Sequence, residues 1–365
     1  MRQGASFVLL LCGLLSAGPV AAQSDIQRMQ CNGADPMVVI RGCSGVIASR
    51  QSTPAMLSLA LSNRAVAYVT LGDNDRALAD LQAAIKTDPK NPHAWVNRGN
   101  VYLAQGKFDL AMADYNHAIA THPDNAHAFG HRADAYLIHG EPARAIKDYD
   151  EAIKFDTKNY AYFAHRGEAY RMQGDNDRAI SDFARAIALN AKDPSPYRNR
   201  GLAYADKGDY DTAVGDLSVA IKLDPDDGAA YASRGNVYRR EGQFERAIAD
   251  YDHAVMIDSN NAATYNDRGT AYASKGDYQR ALADYDRAVK LGPGPSEVYA
   301  NRGLAALMVG QYDHAIADFS VALSKNPKDA QMFYNRGVAK QAMGDATGAA
   351  DDMAAARQLN PALGR

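Results

Sequence analysis

PSPYRNRGLAYADKGDYDTAVGDLSVAIKLDPDD, residues 194–227, decides the fold of this chain. Apolar residues fall at helical spacing from Tyr197 to Lys207 and again from Tyr210 to Leu223. Gly208 separates the two runs, and a glycine there ends the first helix in a left-handed conformation that other residues resist. Asp209 follows and can cap the second helix through its side chain. Leu223-Asp224-Pro225 then breaks that helix. The segment from Asp224 to Gly228 lacks the alternating ligands and distal Glu of a calcium loop and reads as a turn.

The same unit recurs with a fixed step of 34 residues. Its marker arginines are Arg64, Arg98, Arg132, Arg166, Arg200, Arg234, Arg268, Arg302 and Arg336. A Gly lies eight residues after each Arg, from Gly72 to Gly344. An Ala follows that Gly by five residues (Ala77 to Ala349) and another by twelve (Ala84 to Ala356), so the helices can approach closely. Tyr stands four residues after the Arg in seven repeats, and Ala306 and Lys340 replace it in the last two.

A 34-residue helix–turn–helix unit with these marks resembles the tetratricopeptide repeat family, over about residues 58–363. The resemblance implies an all-α fold: a right-handed α-solenoid of nine repeats whose first helices line a concave groove. The family commonly has apolar residues where this chain places its Arg series and an Asp series sixteen residues later. Because those two sites face each other in the family's fold, the resemblance implies intra-repeat ion pairs, among them Arg200 with Asp216 and Arg234 with Asp250. Nine copies of one pair mark structure rather than catalysis.

The N-terminus reads as an export signal over residues 1–22. Arg2 precedes a short apolar run from Phe7 to Leu15, and Val20-Ala21-Ala22 offers small residues for cleavage. The run is too short to span a bilayer, and no other segment comes close. Leu10 and Leu11 before Cys12 are too large for a lipid-attachment box. The expected location is therefore the periplasm or outside the cell, where Cys31 and Cys43 would form a disulfide. Residues 23–57 form an N-terminal segment in which Asp35 to Ser49 has the spacing of a lone capping helix, with Gln51 to Pro54 as linker.

Forty Lys and Arg against 43 Asp and Glu give a net charge of −3, without the basic excess that nucleic-acid binding demands. No phosphate-binding Gly loop, Gly-x-Ser-x-Gly or Cys-x-x-Cys is present, so neither an enzyme nor a cofactor is expected. The expected partner is another protein or an extended peptide. If the family geometry holds, the residue before each Arg points into the groove. It is Asn63, Asn97, Asn199, Asn301 or Asn335 in five repeats, and His131, His165, Ser233 or Asp267 in the others. Such a row of asparagines can pair with a peptide backbone. Asn236 is a further groove residue, Arg198, Arg239 and Arg240 would attract an acidic partner, and Leu103, Leu202, Leu304, Leu307 and Met308 offer apolar contacts. His93, His127, His131 and His165 cluster on the same expected face, and His127 and His131 are four apart, a spacing that permits a shared metal although scattered histidines are commoner. The second functional reading is self-assembly through the C-terminal repeat, after which only Asn360 to Arg365 remain beyond Leu359 to cover its open face.

Overall fold

A computed structural model describes residues 29–49, 52–292 and 294–363. The export-signal reading lies outside the described residues. All regular structure among the described residues is helical. The N-terminal unit, residues 1–173, contains α1 (Pro36–Ala48), α2 (Pro54–Thr70), α3 (Asn74–Thr87), α4 (Pro92–Ala104), α5 (Phe108–Thr121), α6 (Ala126–Ile138), α7 (Pro142–Phe155) and α8 (Tyr160–Met172). The second unit, residues 174–365, contains α9 (Asn176–Leu189), α10 (Pro194–Asp206), α11 (Tyr210–Leu223), α12 (Gly228–Arg240), α13 (Phe244–Ile257), α14 (Ala262–Ser274) and α15 (Tyr278–Leu291). It ends with α16 (Ser296–Met308), α17 (Tyr312–Lys325), α18 (Ala330–Ala342) and α19 (Ala346–Leu359). No helix among the described residues is long and apolar enough to cross a membrane.

The hairpin turn follows from the glycine. All nine marker glycines have φ between +72° and +84°, and no other described residue adopts this left-handed conformation. In the repeat quoted above, Gly208 N–H donates to Ala205 O at 3.1 Å and Asp209 N–H to Tyr204 O at 3.0 Å. That double bond closes the end of α10. Asp209 then accepts from Thr212 N–H and so starts α11. One aspartate thus ends one helix and begins the next, which explains a turn too tight for insertion.

Small residues bring the two helices together. The paired alanines of each second helix, such as Ala111 and Ala118, are fully buried. Tyr115, Tyr149, Phe183, Tyr251, Tyr285 and Phe319 fill the remaining space and are themselves almost fully buried. Burial of such a ring contributes roughly 1.5–3 kcal/mol per residue. A Cβ added at Gly99 would approach the Tyr115 ring at 2.6 Å, so the small residue after the marker Arg marks the closest approach.

Eight marker arginines each clamp a hairpin within one unit. Arg200 Nε and Nη2 donate to the two carboxylate oxygens of Asp216 at 2.7 and 2.8 Å. Arg234 and Asp250 repeat the fork at 2.8 and 2.7 Å. The same geometry holds Arg64 to Asp80, Arg98 to Asp114, Arg132 to Asp148, Arg268 to Asp284, Arg302 to Asp318 and Arg336 to Asp352. Arg166 and Asp182 belong to different units. The third nitrogen, Nη1, turns the clamp into a link between repeats. It reaches Asn116 from Arg132, Asp150 from Arg166, Ser218 from Arg234, Asp252 from Arg268, Asp286 from Arg302 and Ser320 from Arg336, at 2.6–3.0 Å. Those acceptors all lie on the second helix of the preceding repeat.

Helix α1 plays the part of such a second helix at the N-terminal end. Ser44 accepts from Arg64 Nη1 at 2.9 Å. Cys31 and Cys43 are joined by a disulfide and are buried in the contact between α1 and α2. At the other end Lys340 replaces the usual Tyr and sets its ammonium 2.8 Å from Asp352, giving that carboxylate a second cation.

Candidate functional site

The first helix of each repeat presents one face away from its partner. Its residues stand one before, two after, and five or six after the marker Arg, a helical period. In the N-terminal unit this face forms a pocket of about 710 Å³ across α4, α6 and α8. Leu103, Leu137, Ile138 and Met172 supply its apolar wall, with Ile138 73% and Met172 49% exposed. Asn100, His131, Asp134, His165 and Glu168 supply its polar groups. The lining contains no Lys or Arg.

The polar groups are organised from inside the hairpins. Tyr149 is buried between helices but passes its hydroxyl through to Asp134 Oδ1 at 2.6 Å. His165 Nδ1 lies 2.8 Å from the same oxygen, and His131 Nδ1 lies 3.7 Å from the other. Burial acts to raise the Asp134 pKa, but the bonds from His165 and Tyr149 and the nearby imidazoles outweigh it, and the carboxyl ends below its ordinary value. Burial holds His131 below the usual histidine value, with Asp134 opposing the shift. Burial and the same carboxylate push the Tyr149 phenol well above its usual value. At neutral pH Asp134 is therefore charged and His131 neutral.

Tyr115, Tyr251 and Tyr285 repeat the device, donating to Asn100 at 2.8 Å, Asn236 at 2.9 Å and Thr270 at 3.2 Å. Seventeen residues after the other five marker arginines stand Leu81, Phe183, Leu217, Phe319 and Met353, none with a hydroxyl. The facing positions are then Val66, Leu202, Leu304 and Val338 in four cases, and Glu168 in the fifth. A polar groove residue thus accompanies a buried Tyr in every repeat but that of Glu168, which makes no hydrogen bond or ion pair among the described residues.

The row of residues before each Arg departs from a uniform open ladder. Asn63 donates to Cys31 O at 3.3 Å and to Asn32 Oδ1 at 3.0 Å, so it ties down the N-terminal segment. Asn97 donates to Ser62 Oγ of the preceding repeat at 3.0 Å. Asn335 is buried and accepts from Gln331 at 2.9 Å. These three amides therefore make internal bonds in addition to their place in the row. Asn199 and Asn301 are half-buried and carry no side-chain hydrogen bond among the described residues, and Ser233 is half-buried.

The expected cationic contacts are also engaged. Arg198 donates to Asp227, the cap of α12, at 2.6 Å. Arg239 donates to Asn236 at 3.3 Å, and Asn236 in turn donates to Asp267 at 3.3 Å. Burial pushes the Asp267 carboxyl up. Arg240 stays exposed, with Asp206 at 3.9 Å. In unit two Leu304 and Met308 are exposed on the same helix face.

His93 and His127 are exposed, and the His127 ring lies 3.2 Å from the Tyr162 hydroxyl. No group of three or more metal-ligating side chains occurs among the described residues. Tyr162 occupies a site that is Ala94 and Ala128 in the two preceding repeats, and its ring fills the space over Gly130, where a Cβ would meet it at 2.5 Å.

Family models for tetratricopeptide repeats match residues 63–126, 96–161, 131–196, 266–330 and 301–363, with related repeat models matching 167–234 and 235–276. A search of curated proteins found no match. A solved tetratricopeptide repeat protein from Parabacteroides merdae is 24% identical over 68% of this chain and 98% of its own, with a TM-score of 0.56. Pseudomonas aeruginosa pilF is 19% identical over 57% of this chain and 94% of its own, with a TM-score of 0.50. A structure of the APC/C hetero-tetramer Cut9–Hcn1 is 14% identical over 93% of this chain and 81% of that one, with a TM-score of 0.54. The likenesses to these structures are of fold, and the family matches extend over more than half of the sequence: the chain belongs to the tetratricopeptide repeat family.

Proposed function

We propose that this chain is a non-catalytic scaffold of the cell envelope that holds an extended segment of a partner protein against its first helices. The observation that carries the reading is the pocket across α4, α6 and α8, where the exposed side chains of Ile138 and Met172 join Leu103 and Leu137 in one concave apolar wall. Its volume of about 710 Å³ suits a few side chains of a peptide rather than a folded domain. Covering one such aliphatic side chain is worth roughly 1.5–3 kcal/mol. Asn199 and Asn301 would add backbone contacts in the second unit.

Placement in the envelope rests on the N-terminal 22 residues, read as a cleaved signal, and agrees with a disulfide that an oxidising compartment preserves. The functional test is partner capture by the immobilised chain without residues 1–22. Ile138→Asp together with Met172→Asp should abolish capture. Met256→Asp, at an 80% exposed site on the second helix α13, should leave it intact. Equal capture by all three proteins would refute binding at the first helices.

A further inference from the structure

We infer that the pocket across α4, α6 and α8 selects a cationic side chain, Lys or Arg, flanked by aliphatic residues, and that Glu168 is the residue that reads the charge. The inference rests on the scaffold reading above and specifies the chemistry of the bound segment. Its starting point is the relation between the buried ring and the groove. A hydroxyl arriving from below accounts for the polar character of Asn100, Asp134, Asn236 and Thr270. Those side chains complete the interior of their own hairpins. Glu168 has no hydrogen-bond or ion-pair partner among the described residues, and the residue fifteen further on is Phe183, which has no hydroxyl. Its half-buried carboxylate lines the pocket and is left free for a ligand.

The surroundings fix the sign of the ligand. Asp134 gives one oxygen to Tyr149 and His165, while its other oxygen has only His131 at 3.7 Å. On α8 the charged neighbours are His165 and Glu168, with Arg171 half-buried outside the lining. On α6 they are His131 and Asp134, and on α4 the lining is Asn100 with Leu103. Two carboxylates therefore face a cavity with no Lys or Arg in its wall. A carboxylate arriving there would be repelled, whereas an ammonium or guanidinium would gain a charge-assisted hydrogen bond to Glu168. The wall on either side is Leu137, Ile138 and Met172, so the residues flanking the cation must be apolar.

The test is selection from a displayed random decapeptide library on the chain without residues 1–22, followed by fluorescence anisotropy of the enriched peptides. Wild type should enrich Lys or Arg with Leu, Ile, Val or Met beside it. Glu168→Gln should weaken the best of these peptides roughly 10–100-fold, the range for one hydrogen bond to a charged group. Glu168→Lys should shift selection towards Asp and Glu. Glu168 makes no hydrogen bond or ion pair among the described residues that either change would remove, and unaltered circular dichroism and melting would verify the fold. Enriched acidic motifs, or cationic motifs whose affinity is the same in Glu168→Gln, would overturn the inference while leaving the scaffold reading standing. Enrichment of no peptide at all, or only of peptides indifferent to Ile138→Asp, would overturn both.

Discussion

The clamp between Arg200 and Asp216 offers the cleanest energetic test of how the repeats hold together. Most marker arginines also reach an acceptor on the preceding repeat, but at Arg200 the equivalent position is Ala184, which has no polar side-chain atom. The pair is therefore isolated. Its side chains are 21% and 11% exposed, so most of both charges is out of water. Breaking a buried pair costs roughly 3–5 kcal/mol by stranding the remaining charge, and partial solvation of the guanidinium lowers this to about 2–3 kcal/mol for either Arg200→Met or Asp216→Leu. Changing both replaces the pair by two apolar side chains and should cost about 1–2 kcal/mol. The coupling is then about 3 kcal/mol, at the upper end for contacting residues. A solenoid opens locally, so native-state hydrogen exchange of amides in α10 and α11 is the proper readout, since a global melt averages over repeats. Simple addition of the two single effects would show that the clamp does not act as a pair.

Three further outcomes follow from the same geometry. Gly130→Ala should destabilise α6 by about 1–3 kcal/mol because its Cβ meets the Tyr162 ring, and adding Tyr162→Ala should recover most of that loss in a urea titration. No recovery would mean that the two residues are not a size-matched pair. Replacing Cys31 and Cys43 by Ser should lower stability by about 2–3 kcal/mol, through the loop of twelve residues that the bond closes, and should raise exchange in α1 while sparing α18 and α19. Uniform exchange along the chain would contradict the local role. Burial lowers the pKa of His131 and His93 below 6.5, so between the folded and unfolded values the unfolded chain binds more protons. Their contribution to stability is complete above pH 6.5 and is lost as pH falls through it, and His131→Asn, the residue of five other repeats, should flatten that loss in thermal melts between pH 7.5 and 5.5. A steeper slope in the variant would reverse the assignment.

How far the sequence reveals these features depends on the range of the interaction. The hairpin was legible because its determinants are local: Gly208 and Asp209 close α10 and open α11 within six residues. The period of 34 then carried one hairpin to nine repeats. The contact between Arg200 and Asp216 needed only the packing of one hairpin. The Nη1 links were not legible, because they require the register between successive hairpins. A signal was nevertheless present, in the short polar residues Asn116, Asp150, Ser218, Asp252, Asp286 and Ser320 at a common position. The internal bonds of Asn63 and Asn97 were not legible for the same reason: helical phase gives the face of a side chain but not its neighbour across a repeat boundary. Asp134 escaped notice because its meaning lies in the hydroxyl beneath it, fifteen residues away in sequence and on another helix.

The central claim is that a partner segment lies against the first helices of the N-terminal unit, and photo-crosslinking tests it most directly. The photoreactive residue p-benzoylphenylalanine, placed singly at Ile138, at Met172 and at Met256, samples two pocket sites and one site on a second helix, all exposed. Irradiation with a captured partner should give a covalent adduct from positions 138 and 172 and none from 256. Adducts from 256 with none from 138 and 172 would contradict the account.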